Sequence, residues 1–319
     1  MLDIQAQILA RIQAADTIII HRHVNPDPDA LGAQGGLAAV LRTSYPTKTV
    51  YVVGSDPENL SWLATMQTIP DDTYRSALVI AVDTADTPRV SDARFATGAG
   101  LIKIDHHPND DPYGELNWVV PEASSTSELI ADLVAASNGQ LQLTAEAARF
   151  LYAGIVGDTG RFLYDNTSPH TLQVAAELIR YDFDPTALNN RMNQITLAQG
   201  RLQGYVFDHL HITPAGAATV EIPLAVVQEL GLDAGSVHAA VGTPGRLGNV
   251  VAWAIFVEQA DAPYRVNLRS KGPIINELAK AHQGGGHPLA AGAKAQDRAE
   301  IDQITAELAA IVAKGTQHE

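Results

Sequence analysis

Short β-branched runs alternate with helix-spaced stretches along the first half of the chain. "TIII" (17–20), "TVYVV" (49–53), "ALVIAVD" (77–83) and "GLIKID" (100–105) are nearly uninterrupted apolar runs of strand length. Runs of this kind predict parallel strands buried on both faces. Residues 30–43 have helical spacing. Residues 124–137 open with a capping-box pattern, Ser125 to Glu128, and continue as a helix; 144–160 reads as a helix that stops at glycine. The alternation predicts an α/β domain with a doubly wound, mostly parallel sheet.

Around 182–205 the pattern is helical with no strand, as in a connector. Beyond it, "HLHIT", "AATVEIP", "NVVAWAIFVEQ" and "YRVNLRSKG" read as strands, with helices at 273–281 and 297–314. A smaller α+β domain is expected there, with a glycine-rich element, "QGGGHPLAAGA", at 283–293. The expected division is 1–187 for the first domain, 188–207 for a helical linker and 208–319 for the second, with a cleft between the domains.

Composition narrows the chemistry. The 319 residues include no cysteine, which excludes disulfides, thiolate metal sites and cysteine nucleophiles. The formal net charge of -15 argues against a long nucleic-acid groove, which needs a basic face. A short phosphorylated substrate stays compatible, because bound divalent metal reverses the local field. The N-terminal stretch lacks the features of a signal peptide, and no apolar run reaches the ~18 residues of a membrane span. A soluble, cytoplasmic protein is expected.

Three of the predicted strands run into acidic or histidine-rich segments. The first leads to His21, His23, Asp27 and Asp29, the third to Asp83, and the fourth to Asp105, His106 and His107. Ligand sites in open parallel sheets lie outside the carboxyl ends of strands, so these groups should converge. Taken alone, Asp27 reads equally as a turn residue, Asp29 as a helix N-cap, and "DHH" as a solvated loop. Their joint placement favours a metal centre. Asp27 and Asp29, in a turn shaped by Pro26 and Pro28, could serve two neighbouring ions, bridged by a carboxylate from the third strand. Two divalent ions about 4 Å apart clamp a phosphoryl group. Carboxylate and imidazole ligands without thiolate suit Mn²⁺, with Mg²⁺, Co²⁺ or Zn²⁺ as substitutes.

In order and spacing, "HVNPDPDALG", "VDTAD", "DHH" and "GIVGDTGRF" resemble the four motifs of the DHH phosphoesterase superfamily. "LRSKG" and "GGGHPLAAGA" resemble its DHH-associated C-terminal domain. The resemblance spans nearly the whole chain. It implies a two-domain hydrolase with a Mn²⁺ pair in the first domain and substrate recognition in the second. One ion would be held by His23, Asp27 and Asp83, the other by Asp29, Asp83, His106 and Asp158, with Asp83 bridging. His107 would face the scissile phosphate as hydrogen-bond donor or general acid, and Asp105 would orient a histidine. Gly284, Gly285, Gly286 and His287 would bind the substrate's phosphate end, with Arg269 and Lys271 as partners. Arg161 reads equally as a surface charge, His21 has no role in the pattern, and His238 and His282 read as ordinary polar residues. Ala33 departs from the small hydroxyl residue found there in many relatives.

Within the superfamily, pyrophosphatases have a different second domain. RecJ-like exonucleases are longer, and cyclic-dinucleotide hydrolases of the membrane carry N-terminal spans. The short stand-alone branch remains, and the chain resembles its NrnA-like oligoribonuclease (nanoRNase) and 3′-phosphoadenosine-5′-phosphate (pAp) phosphatase group. The expectation is a Mn²⁺-dependent hydrolase that cuts RNA a few nucleotides long to 5′-mononucleotides, with conversion of pAp to AMP as a candidate second activity. The alternative is a soluble cyclic-dinucleotide or linear-dinucleotide phosphodiesterase acting on cyclic di-AMP or pApA. A non-catalytic nucleotide-binding scaffold is disfavoured, because every implied metal ligand is present. The expected partner is a short RNA or nucleotide, with no long nucleic acid and no membrane; a homodimer is left open.

Overall fold

The structure is a computed structural model that describes residues 3–233, 235–260 and 263–315. Contacts divide the chain into two compact units, Met1–Asn193 and Gln194–Glu319. Among the described residues, no helix is long and apolar enough to cross a membrane.

In the first unit, five parallel strands, β1 (Thr17–His21), β2 (Thr49–Val52), β3 (Leu78–Val82), β4 (Gly100–Asp105) and β5 (Leu116–Val119), form one sheet. Their order is β2-β1-β3-β4-β5. Among the described residues, six α-helices accompany them: α1 (Ile4–Ala14), α2 (Pro28–Ser44), α3 (Thr126–Ala136), α4 (Ala145–Asp158), α5 (Pro169–Leu178) and α6 (Pro185–Met192). Successive strand residues feed opposite faces, which is why the strands read as continuous apolar runs. Ile18, Ile20 and Ile80 enter a large core with Leu31, Leu37 and Leu151 from the helices. Ile19 and Val79 enter a smaller core with Ile69 and Tyr74. Each fully buried isoleucine contributes about 2 kcal/mol. The smaller core is covered by 3-10 turns such as Asp71–Ser76 and Ala93–Thr97, rather than by α-helices.

The chain leaves β1 through α2 to β2, then passes back beyond β1 to β3. The strand order therefore reverses between β1 and β3, and side chains just past these two strands share one crevice. The edge strand β5 and helix α5 have no counterpart among the sequence expectations. The capping box of α3 is half formed. Ser125 accepts the N–H of Glu128 at 3.0 Å, but the Glu128 carboxylate accepts instead from Ser124 Oγ at 2.6 Å.

The second unit holds α7 (Leu197–Asp208), β6 (His211–Ile212), β7 (Ala217–Ile222), α8 (Leu224–Glu229), β8 (Ala252–Val257), β9 (Tyr264–Ser270), α9 (Asn276–Ala281), β10 (Gly285–His287), β11 (Ala290–Ala295) and α10 (Arg298–Gly315). The sheet order is β10-β11-β9-β8-β7-β6, with β7 and β8 parallel and the other neighbours antiparallel. Leu278, Ile304 and Leu308 of α9 and α10 cover one face. Leu202 and Val206 of α7, in the stretch read as a connector, pack with Trp253 and Ile255 on the other. The glycine-rich segment, for which no strand is expected from the sequence, folds as the hairpin β10–β11.

Candidate metal centre

The crevice at the carboxyl ends of β1, β3 and β4 gathers the histidines and aspartates picked out in the sequence. His21, the last residue of β1, is turned away from them. Its buried ring meets Tyr74 Oη at 3.1 Å, and burial pushes its pKa down to about 4, so it stays neutral. Two residues later, a single bridge to Val90 fixes the backbone of His23. Its Nδ1–H donates to the Val24 carbonyl at 2.7 Å. That bond turns Nε2 toward carboxylates, 3.4 Å from Asp83 Oδ2 and 3.7 Å from Asp27 Oδ2.

Asp27, not Asp29, is the N-cap of α2. Its Oδ1 accepts the N–H groups of Asp29 and Ala30 at 3.0 and 2.9 Å, and Pro28 occupies the first helical position. The cap holds the other carboxylate oxygen toward His23. Asp29, two residues further on in the first turn of α2, is fully buried and accepts the N–H groups of Thr126 (2.7 Å) and Ser127 (2.9 Å) at the start of α3. A helix N-terminus thus steadies a buried carboxylate.

Asp83 follows β3 in a left-handed conformation, with φ of 51°, a region few non-glycine residues enter. Its carboxylate is buried and faces several groups. Oδ2 points at His23, while Oδ1 accepts Thr126 Oγ1–H at 3.0 Å and lies 3.6 Å from both His106 Nε2 and His107 Nδ1. His106 Nε2 also lies 3.1 Å from Asp158 Oδ2, at the last residue of α4, while its Nδ1 is 3.4 Å from the Ala123 carbonyl. Three overlapping groups result: His23, Asp27 and Asp83; Asp29, His106 and Asp158; and Asp83, His106 and His107. Asp83 and His106 each belong to two of them.

Asp105 stands apart from all three groups. Its Oδ1 accepts both the backbone N–H and the Nδ1–H of His107, at 3.1 and 2.8 Å. Its other oxygen lies 3.5 Å from Nζ of Lys103, a lysine buried completely within β4. Lys103 also donates to the Ala85 and Asp111 carbonyls, at 2.8 and 3.1 Å, and sits over the Tyr113 ring. Neither Lys103 nor Thr126 was singled out from the sequence. The signal for Lys103 was present, a single charge inside the apolar run of β4. A fourth group, Glu128, Asp132 and His170, was also missed, because its histidine comes from α5.

The electrostatics are those of a site short of positive charge. Burial disfavours charge on His23, yet its bonds to Asp27 and Asp83 raise its pKa to about 11. Burial likewise opposes ionisation of Asp83, but His23, His107 and His106 hold it well below the usual carboxylate range. Burial pushes Asp29 well above that range, with the charges of Asp83 and Asp158 adding to it, and lifts Asp158 to about 6. The imidazoles satisfy Asp83 but not every carboxylate at once. A donor set of carboxylate oxygens and imidazole nitrogens with surplus negative charge fits divalent cations.

In the second unit, register places His287 and Arg269 on either side of Ala290, on one face of neighbouring strands. The Arg269 guanidinium donates to the carbonyls of Leu268 (2.8 Å) and Ala291 (3.4 Å). Lys271, just past β9, donates to that of Leu247 at 2.8 Å. The three glycines differ. A Cβ at Gly284 would collide with the Gly292 carbonyl, and one at Gly286, where φ is 135°, would stand 2.7 Å from that of Ala290. A Cβ at Gly285 would meet nothing within 4 Å.

Comparison with known proteins agrees in both units. Residues 17–155 match the DHH family, N-terminal domain, and 221–314 match the DHHA1 domain. The probable bifunctional oligoribonuclease and PAP phosphatase NrnA of Streptococcus mutans is 51% identical over 301 residues, covering 94% of this chain and 96% of that protein. The bifunctional oligoribonuclease and PAP phosphatase NrnA of Bacillus subtilis is 45% identical over 305 residues, covering 95% and 97%. The crystal structure of an exopolyphosphatase-related protein from Bacteroides fragilis shares the fold, with a TM-score of 0.88 at 24% identity over 97% of each chain. Matched in both units and aligned nearly end to end with such relatives, the chain belongs to the DHH family.

Proposed function

We propose that this protein is a metal-dependent phosphoesterase that hydrolyses RNA a few nucleotides long to 5′-mononucleotides and also converts pAp to AMP. The observation that carries the reading is the Asp83 carboxylate, which turns one oxygen to His23 and the other toward His106 and His107. The names of near full-length relatives supply the substrate class.

His23, Asp27 and Asp83 would hold one ion, and Asp29, Asp83, His106 and Asp158 the other. Mn²⁺ is the proposed metal, with Mg²⁺ or Co²⁺ as substitutes. A divalent pair supplies charge to the transferring phosphoryl group and lowers the pKa of water. The chain's own residues do the rest. Asp27 and Asp29, anchored on helix N-termini, keep their carboxylates in place without reorganisation. Asp105 accepts from His107 Nδ1, which fixes the ring and leaves Nε2 to donate a proton to the leaving oxygen. Burial at the crevice keeps these charges strong. Gly284, Gly285, Gly286 and His287, with Arg269 and Lys271, are proposed to bind the terminal phosphate.

The test is a hydrolysis panel: a dinucleotide, a five-nucleotide RNA, a twenty-nucleotide RNA, pAp and cyclic di-AMP, with and without chelator. Fast mononucleotide release from the two shortest RNAs and turnover of pAp are expected, with loss on chelation and recovery on adding Mn²⁺. Equal rates on short and long RNA would refute the length preference. Dominant cleavage of cyclic di-AMP would reassign the substrate.

A further inference from the structure

The turn after Asp158 holds an aromatic ring in the open at the cost of backbone strain. Gly160, Arg161 and Phe162 have φ of 53°, 64° and 64°. Left-handed backbone suits glycine but strains the two residues after it. The surrounding bonds enforce the shape. Buried Thr159 accepts the Phe162 N–H on Oγ1 at 3.0 Å, and its carbonyl accepts from Leu163 and Tyr164 at 2.9 and 3.0 Å. Asn166 closes the turn by donating to the Asp158 and Ser124 carbonyls, at 3.2 and 3.0 Å.

This geometry sorts the side chains. Phe162 turns inward, its ring centroid 6.5 Å from that of Tyr152. Tyr164 stays 61% exposed. Its ring rests against Gly160, where a Cβ would stand 2.5–2.7 Å from three ring carbons. Glycine at 160 therefore does two things: it permits the turn and seats the ring. A large ring, backed by peptide and open to solvent, is fixed six residues beyond a carboxylate of the metal centre. Strained backbone of this kind clusters at active sites and ligand clamps.

We propose that Tyr164 is a stacking platform for a nucleobase of the bound substrate. The inference rests on the reading of the protein as a hydrolase of short RNA and adds a base-binding residue to it. Stacking suits such an enzyme, because every base has a π-face and the contact ignores sequence.

The experiment compares wild type, Tyr164→Ala, Tyr164→Leu and Tyr164→Phe on a 5′-phosphorylated adenylyl dinucleotide and on its analogues made abasic at either position. Tyr164→Ala and Tyr164→Leu should raise KM about tenfold, with kcat changed less than about twofold. Tyr164→Phe should restore the wild-type KM. One of the abasic analogues should lose the difference between wild type and Tyr164→Ala. Equilibrium dialysis of the same dinucleotide in chelator reads stacking without turnover, and Tyr164→Ala should weaken binding there too. An unchanged KM and Kd in Tyr164→Ala would overturn the platform. So would a loss confined to kcat, which would mark a shifted Asp158 instead. A wild type that binds the dinucleotide through Tyr164 but does not cleave it would sink the proposed reaction and leave the platform standing.

Discussion

At the carboxyl edge of the first sheet, Asp83 answers to His23, His106, His107 and Thr126 at once. In the second unit, Arg269 and Lys271 each hold backbone carbonyls of their own, and the glycines beside them answer mainly to strand β11. The first set is a buried network in which every charge depends on its neighbours. The second is a row of separately anchored residues near the surface. Interdependent buried charges should fail together when one is removed, whereas separately anchored groups should fail one at a time.

The widest gap between the two regions should come from Asp83→Ala. Removing the shared carboxylate leaves three imidazoles facing no common partner and takes a ligand from both proposed ion sets. Turnover of short RNA should fall at least about 10³-fold, with metal content falling in parallel. The fold should persist, since Asp83 lies past the end of β3 and outside the apolar cores. Arg269→Ala should instead raise KM and spare metal content. If Asp83→Ala behaved like Arg269→Ala, the first site would not be a network at all.

Lys103→Met comes next. It would strand Asp105 in a fully buried position with only His107 as partner, and lost partners of buried charges typically cost about 3–5 kcal/mol. Denaturant unfolding reads this directly. A loss below about 1 kcal/mol would mean that the pairing of Lys103 with Asp105 adds little to the fold.

How much of this could be read beforehand follows from burial. Strands β1, β3 and β4 were legible because both their faces are covered and nearly all their residues are buried, whereas β2, at the sheet edge with Thr49 exposed and Tyr51 half-buried, was legible from its β-branched run. Strand β5 was not, since Trp118 is its one buried residue. The turn-covered face left no periodic trace, because 3-10 turns of three to six residues are too short to show one. Hairpin β10–β11 hid for another reason: glycine and alanine carry no alternation of large and polar side chains. In the site, the strand-end residues were legible from topology. Asp158 came only from family resemblance, because it ends a helix, and Thr126 was hidden in a serine-rich helix start.

A smaller effect separates two adjacent glycines. Gly284→Ala drives a methyl group into the Gly292 carbonyl, and backbone must move; overpacking of this kind costs about 1–3 kcal/mol. Gly285→Ala enters open space and should leave stability within about 0.5 kcal/mol. Should Gly285→Ala nevertheless raise KM for pAp, the substrate's phosphate approaches at that residue. A normal KM would move the proposed phosphate contact to Gly286 and His287.

The smallest predicted effect tests whether the second unit also contains an interdependent charge cluster, away from the proposed phosphate site. His282, at the end of α9, has Nδ1 2.8 Å from Glu300 and Nε2 3.1 Å from Glu307, both on α10. Burial disfavours its charge, but the two glutamates raise its pKa above the usual 6.5, and bonds including those from His282 lower theirs below 4.5. A raised histidine stabilises the fold fully below about 6.5 and loses that contribution as pH rises through its folded value. The depressed glutamates contribute fully above about 4.5 and lose their share as pH falls through their folded values. The cluster should therefore work best between about pH 4.5 and 6.5. Replacing His282 with glutamine, which bonds without charge, should cost about 1 kcal/mol at pH 5.5, and the gap in Tm should narrow at pH 9. A gap of the same size at both values would show that packing, and not charge, joins α9 to α10.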